Sequence, residues 1–235
     1  MIIETRSLVK AYGLLPVLRK IDLGIERGEF VALLGPNGSG KSTFLRLLCG
    51  LSKPTAGSIT IGGWDVPDEI AAVRAQIGLV SHKPLLYENL TARENLRFFA
   101  RMYHLEDIDE RIERGLERVG LTKRGNDLVR TYSRGMLQRL SIARALIHDP
   151  DVLLLDEPHT GLDQDASATL DRLLLDAHAE GRTILMTTHE LDRAHRIAQR
   201  CLILSRGSLM LDAPMRDIDN LPGRYTEVTG MTTAR

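Results

Sequence analysis

The stretch Gly35-Pro36-Asn37-Gly38-Ser39-Gly40-Lys41-Ser42, set directly behind the apolar run Phe30–Leu34, constrains this chain more than any other part of it. It matches G-x-x-x-x-G-K-[ST], and Thr43–Cys49 continues with a helical pattern that Gly50 stops. A strand, a glycine-rich loop and a helix in that order make an anion cradle. Small residues let backbone N–H groups crowd around phosphate oxygens. The helix N-terminus behind them adds about half a positive charge. Lys41 is then the residue that reaches the β- and γ-phosphates, and the Ser42 hydroxyl is a Mg²⁺ ligand. The motif implies a nucleoside triphosphate held by Gly35, Pro36, Asn37, Gly38, Ser39, Gly40, Lys41, Ser42 and Thr43.

An acidic counterpart comes late in the chain. Val152-Leu153-Leu154-Leu155 reads as a strand buried on both faces, and it ends in Asp156-Glu157. At the carboxyl edge of the same sheet, Asp156 can hold the magnesium hydration shell alongside Ser42. Glu157 is left to orient or deprotonate an attacking water.

Short β-branched runs alternating with helical periods signal an α/β domain. Strands are expected at Phe30–Leu34, Ser58–Ile61, Ile77–Val80, Val152–Leu155, Thr183–Thr187 and Arg200–Leu204, with Ser208–Ala213 at an edge. Residues 85–147 break the alternation. Thr91-Ala92-Arg93-Glu94 is a capping box opening a helix with Leu96, Phe99 and Tyr103 on one face. Ile108, Ile112, Leu116 and Val119 mark a second helix that Gly120 ends, and a third starts near Ser133. The expected organisation is a sheet core over 1–84 and 148–212, a helical subdomain at 85–147 and a tail at 213–235. From Leu221 on, no periodicity is apparent, and a loose tail is expected.

Composition removes other classes. Lys+Arg and Asp+Glu balance at 31 each, which argues against a chain built to grip nucleic acid. No apolar run approaches the ~20 residues of a membrane helix, and the first residues do not read as a signal peptide. Cys49 and Cys201 lack pairing or ligand spacing and are read as buried thiols in a reducing, cytoplasmic compartment.

Tyr132-Ser133-Arg134-Gly135-Met136 opens the third helix with Ser133 as N-cap and Gly135 leaving the first amides uncovered, a second anion-binding helix start. The pentapeptide is similar to the Leu-Ser-Gly-Gly-Gln signature of ABC transporter ATP-binding subunits, and the whole constellation resembles that family over about residues 1–212. The resemblance implies a P-loop NTPase core with an inserted helical subdomain, ATP and Mg²⁺ as ligands, and ATP hydrolysis coupled to transport. It implies a head-to-tail pair of subunits, most simply a homodimer, in which Ser133 and Gly135 of one copy meet the γ-phosphate held by the other. It also makes Tyr12 the adenine-stacking residue, Gly161-Leu162-Asp163 the subunit-contact loop and His189 the switch histidine near the γ-phosphate. Integral membrane subunits, not nucleic acid, are the implied partners, holding the chain to the inner face of the cell membrane.

Two departures from the family pattern stand out. Tyr132, Arg134 and Met136 replace signature residues, while Ser133 and Gly135 remain. His82, in Val80-Ser81-His82-Lys83-Pro84, stands where relatives carry a glutamine that touches Mg²⁺ and the attacking water, and a histidine there makes coupling sensitive to pH. That histidine, with the Tyr-Ser-Arg-Gly-Met signature, resembles the haem-exporter branch of cytochrome c maturation. The same signature resembles exporters of drugs, polysaccharides and sodium. His104, His148, His159, His178 and His195 have no ligand spacing, so haem is not expected on this chain. A soluble ABC ATPase and a P-loop kinase are the rival classes. The first lacks its usual second unit or basic extension here, and the second is distinguished by direct phosphate release.

Overall fold

The structure, a computed structural model, describes residues 1–230. In chain order the elements are β1 (Ile3–Tyr12), β2 (Leu15–Ile25), β3 (Phe30–Leu34), α1 (Lys41–Leu48), β4 (Ala56–Ile61), β5 (Trp64–Val66), α2 (Ile70–Gln76) and β6 (Ile77–Val80). Three helices follow without an intervening strand, α3 (Ala92–Met102), α4 (Ile108–Arg118) and α5 (Arg134–Leu146). The chain then alternates through β7 (Val152–Asp156), α6 (Gln164–Ala179), β8 (Thr183–Thr187), α7 (Leu191–Ile197), β9 (Arg200–Ser205), β10 (Ser208–Pro214) and α8 (Leu221–Thr229).

Two sheets form. The larger runs β10-β9-β3-β8-β7-β6 and is parallel except for the edge strand β10. The smaller is an antiparallel sheet, β2-β1-β4-β5. The wholly apolar strands of the larger sheet follow from its position between two cores. Phe30, Ala32 and Leu34 of β3 enter the core shared with the helices, while Val31 and Leu33 enter the core shared with α1 and the antiparallel sheet. Leu153 and Leu155 of β7 likewise face the first core and Val152 and Leu154 the second. Strand periodicity of two therefore feeds both layers at once, and neither face tolerates a charge.

The caps anticipated at the inserted helices are present. Thr91 Oγ1 accepts from the Glu94 amide while Glu94 Oε2 accepts from the Thr91 amide at 2.7 Å. Gly120 ends α4 in the left-handed region, at φ 65°.

The antiparallel sheet was not anticipated. β1 and β2 pair through register shifts between Thr5 and Leu8 and again before Lys10 and Ala11, with Ser7 and Lys20 at positive φ. Those bulges scramble the inside–outside alternation by which a half-buried strand is read. The loose tail is also corrected: Leu221–Thr229 is helical, with Leu221, Tyr225 and Thr229 buried at four-residue spacing. Asn220 Oδ1 caps its first turn through the Gly223 amide at 2.9 Å, and Gly230 closes it at φ 68°. Residues 231–235, the rest of that expected tail, lie outside the described residues.

Candidate functional site

The carboxyl ends of β3, β7 and β8 lie side by side, so the loops leaving them share one edge of the sheet. The loop after β3 passes so close to β9 that a side chain at Gly35, φ 155°, would strike the Leu204 carbonyl. At Gly40, φ 112°, a Cβ would run into Leu18 and the Val17 carbonyl of β2. Only glycine fits either place, and the backbone is thereby held in the open curve that presents amides to an anion. The Lys41 side chain, 5% exposed, donates to Gly35 O at 2.7 Å and Pro36 O at 3.3 Å. Its Nζ also stands 3.6 Å from Glu157 Oε1. Burial pulls the Lys41 ammonium below the ordinary lysine range, with Glu157 and Asp156 opposing the shift.

Asp156 closes β7 and accepts from Ser42 Oγ at 3.0 Å and from Thr187 Oγ1 at 2.8 Å, both on Oδ1. Thr187 in turn accepts from the Glu157 amide at 3.0 Å, so one hydroxyl at the end of β8 ties down both acidic residues. Glu157 sits in the left-handed region at φ 49°, an uncommon conformation for a non-glycine residue and one that aims its carboxylate back over the phosphate loop. Its Oε2 meets His189 Nδ1 at 3.1 Å and accepts from Thr160 Oγ1 at 3.3 Å.

Lys41, Ser42, Asp156, Glu157 and His189 are thus brought into one cluster, and His82 shares a cleft of about 330 Å³ with Glu157, Arg134 and Gln138. Ser133 caps α5 by accepting from the Met136 amide at 3.3 Å. A Cβ on Gly135 would come within 3.0 Å of Ala166, so this glycine also permits the close approach of α6. Among the described residues, no hydrogen bond or ion pair joins Ser133 or Gly135 to the phosphate loop. Tyr12 stands half-exposed at the tip of the β1–β2 hairpin, with Lys10 Nζ 4.7 Å above its ring. Tyr132 is buried, with its hydroxyl donating to Arg124 O at 2.7 Å, and so anchors α5. Sequence reasoning missed Thr187 and Thr160. A hydroxyl closing an apolar strand beside an acidic pair was the available signal.

The ABC transporter family model matches residues 18–160, which takes in the phosphate loop, the inserted helices, the signature and Asp156-Glu157. The chain belongs to the ATP-binding subunits of ABC transporters. As an ABC ATPase it binds and hydrolyses ATP. It is 40% identical to Nod factor export ATP-binding protein I of Cupriavidus pinatubonensis (strain JMP 134 / LMG 1197), covering 92% of this chain and 67% of that protein. It is 34% identical to linearmycin resistance ATP-binding protein LnrL of Bacillus subtilis (strain 168), covering 92% of this chain and 70% of that one. Among solved structures, a dimeric ATP-binding cassette in a post-hydrolysis state bound to ADP and Pi superposes with a TM-score of 0.83 at 30% identity. That match covers 91% of this chain and 99% of the other. No helix among the described residues of this ABC subunit is long and apolar enough to cross a membrane.

Proposed function

We propose that this ABC subunit drives an exporter, working as a pair of copies docked on separate integral membrane subunits at the inner face of the cell membrane. The placement of Glu157 between Lys41 and His189 carries the mechanistic part of this reading. In each copy, Gly35–Thr43 cradles the phosphates, Lys41 exchanges its carbonyl partners for phosphate oxygens, and Tyr12 stacks on adenine. Ser133 and Gly135 of the second copy face the same γ-phosphate. Ser42 and Asp156 present hard oxygens 3.0 Å apart, a donor set that suits Mg²⁺. When bound, that ion neutralises charge on the phosphate oxygens. Glu157 accepts a hydrogen bond from the attacking water, and His189 holds the carboxylate in line.

The division into a sheet core and a helical subdomain at 85–147 gives this motor its output. His82 lines the cleft at Glu157, and the chain beyond it exposes Leu85, Tyr87 and Phe98, with Tyr87 and Phe98 in edge contact at 4.9 Å. That apolar surface suits helices of the membrane partner. The relatives named above favour export of small-molecule cargo. The haem-export reading rests on His82 and the signature residues alone.

Glu157→Gln keeps the shape of the side chain and removes its basicity. Phosphate release is expected to fall at least about a hundredfold, while a fluorescent ATP analogue still binds and light scattering shows an ATP-dependent dimer. Turnover close to wild type in that variant would overturn the role of Glu157.

A further inference from the structure

A second, buried bridge joins the same two loops behind the exposed Glu157–His189 contact. His159, two residues beyond Glu157, is 3% exposed, and its Nε2 stands 2.8 Å from Asp171 Oδ1 of α6, a close polar contact whose angle falls outside hydrogen-bond geometry. Arg193 of α7 donates to the other oxygen of Asp171 at 2.6 Å and, through Nε, to Glu190 Oε2 at 2.9 Å. Glu190 immediately follows His189 and occupies the N-cap position of α7. The chain of contacts therefore runs from the Glu157 loop, through α6, to the His189 loop, entirely through side chains.

Burial opposes ionisation of Asp171, but the His159 and Arg193 contacts outweigh it and hold the carboxyl below the usual range. His159 Nδ1 has no hydrogen-bond partner among the described residues. A polar ring enclosed with neither nitrogen in a hydrogen bond, and only the Asp171 carboxylate close by, is an expensive way to fill space, since an apolar side chain of equal volume would avoid that penalty. The backbone at this point is also tightly turned: Thr160 N donates to Glu157 O at 3.2 Å, and Leu162 N to His159 O at 3.1 Å. Moving His159 therefore moves the turn that begins at Glu157.

We propose that His159 is a positioning residue for hydrolysis: through Asp171 and Arg193 it fixes the loop carrying Glu157 against the loop carrying His189. The inference rests on the assignment of Glu157 to the attacking water. Misplacing that carboxylate by about an ångström is sufficient to slow chemistry by one to two orders of magnitude. Nucleotide binding, made mainly by the phosphate loop and Tyr12, is not expected to change.

The test compares His159→Leu, His159→Gln, Asp171→Asn and Glu157→Gln in the full chain, reading kcat, KM for ATP and affinity for a fluorescent ATP analogue. His159→Leu is expected to lower kcat about tenfold or more with KM and affinity within about twofold. His159→Gln, whose amide nitrogen can take the place of Nε2, should restore most of the rate. Asp171→Asn, which folds around an uncharged isostere should the leucine variant prove unstable, should lower kcat in the same way. Adding it to His159→Leu should bring little further loss, because both break one bridge. Wild-type kcat in His159→Leu or in Asp171→Asn alongside an inactive Glu157→Gln would overturn the bridge while sparing the catalytic assignment. Equal rate losses in the leucine and glutamine variants would also overturn it. An active Glu157→Gln would instead remove the reading on which the bridge depends.

Discussion

At the scale of single residues, the site is decided by who shares a proton with whom. Thr187 is the plainest case: its one hydroxyl accepts from the Glu157 amide and donates to Asp156, which also accepts from Ser42. Thr187→Val preserves the branched shape that suits β8 but takes one of two acceptors from the Glu157 amide, which keeps the Thr187 carbonyl at 3.1 Å, and one of two donors from Asp156 Oδ1. Losing that pair of bonds should lower unfolding stability by about 1–3 kcal/mol. It should also loosen both acidic residues, so that kcat falls about tenfold while ATP affinity holds. Urea titration and phosphate release check the two parts separately, and unchanged turnover would confine Thr187 to a structural role. The difference in legibility has a physical basis. Lys41, Ser42, Asp156 and Glu157 sit in contiguous motifs whose spacing encodes their chemistry. Thr187, and the His159–Asp171–Arg193 set, acquire meaning only from packing between distant segments.

Elements were legible where one face or both faces of a strand or helix carried an uninterrupted signal. The ends of β3 and β6 fall where the apolar runs end, because parallel strands buried on both sides are filled mainly by apolar residues. β1 and β2 were missed because bulges break their alternation. The C-terminal helix α8 was missed for another reason: it spans only nine residues, and its buried set is a single line of Leu221, Tyr225 and Thr229. That line makes it a working part of the core, since Leu221 and Tyr225 join the cluster that also holds Ile197 and Met215. Leu221→Ala should lower unfolding stability by about 2–3 kcal/mol, as for buried leucines in general. A loss below about half a kilocalorie would mean that α8 is docked only loosely.

On the scale of the whole molecule, the helices α3–α5 are joined to the sheet by a seam with an acid-sensitive point. Tyr103 at the end of α3 stacks on His148, with centroids 3.9 Å apart and planes 5° from parallel, and His148 Nε2 donates to Ile77 O of β6 at 3.0 Å. Arg144 and Arg74 line the same pocket, with Asp149 next in sequence. A second proton would have to go on Nδ1, which is buried without a partner among the described residues. Desolvation pulls His148 down from 6.5 to about 4; the Ile77 carbonyl and Asp149 oppose the shift, and Arg144 adds to it. The sign follows from proton binding. Below pH 6.5 the unfolded chain takes up a proton that the folded chain refuses until about pH 4, so this contribution is complete above pH 6.5 and is lost as pH falls toward 4. His148→Gln keeps a donor for Ile77 and removes the titration. Urea midpoints at pH 7.5 should be lower in the variant, because the stacked pair is gone. Between about pH 6.5 and 4 the variant should lose less stability than wild type. Parallel slopes for the two proteins would remove His148 as the acid-sensitive point of this seam.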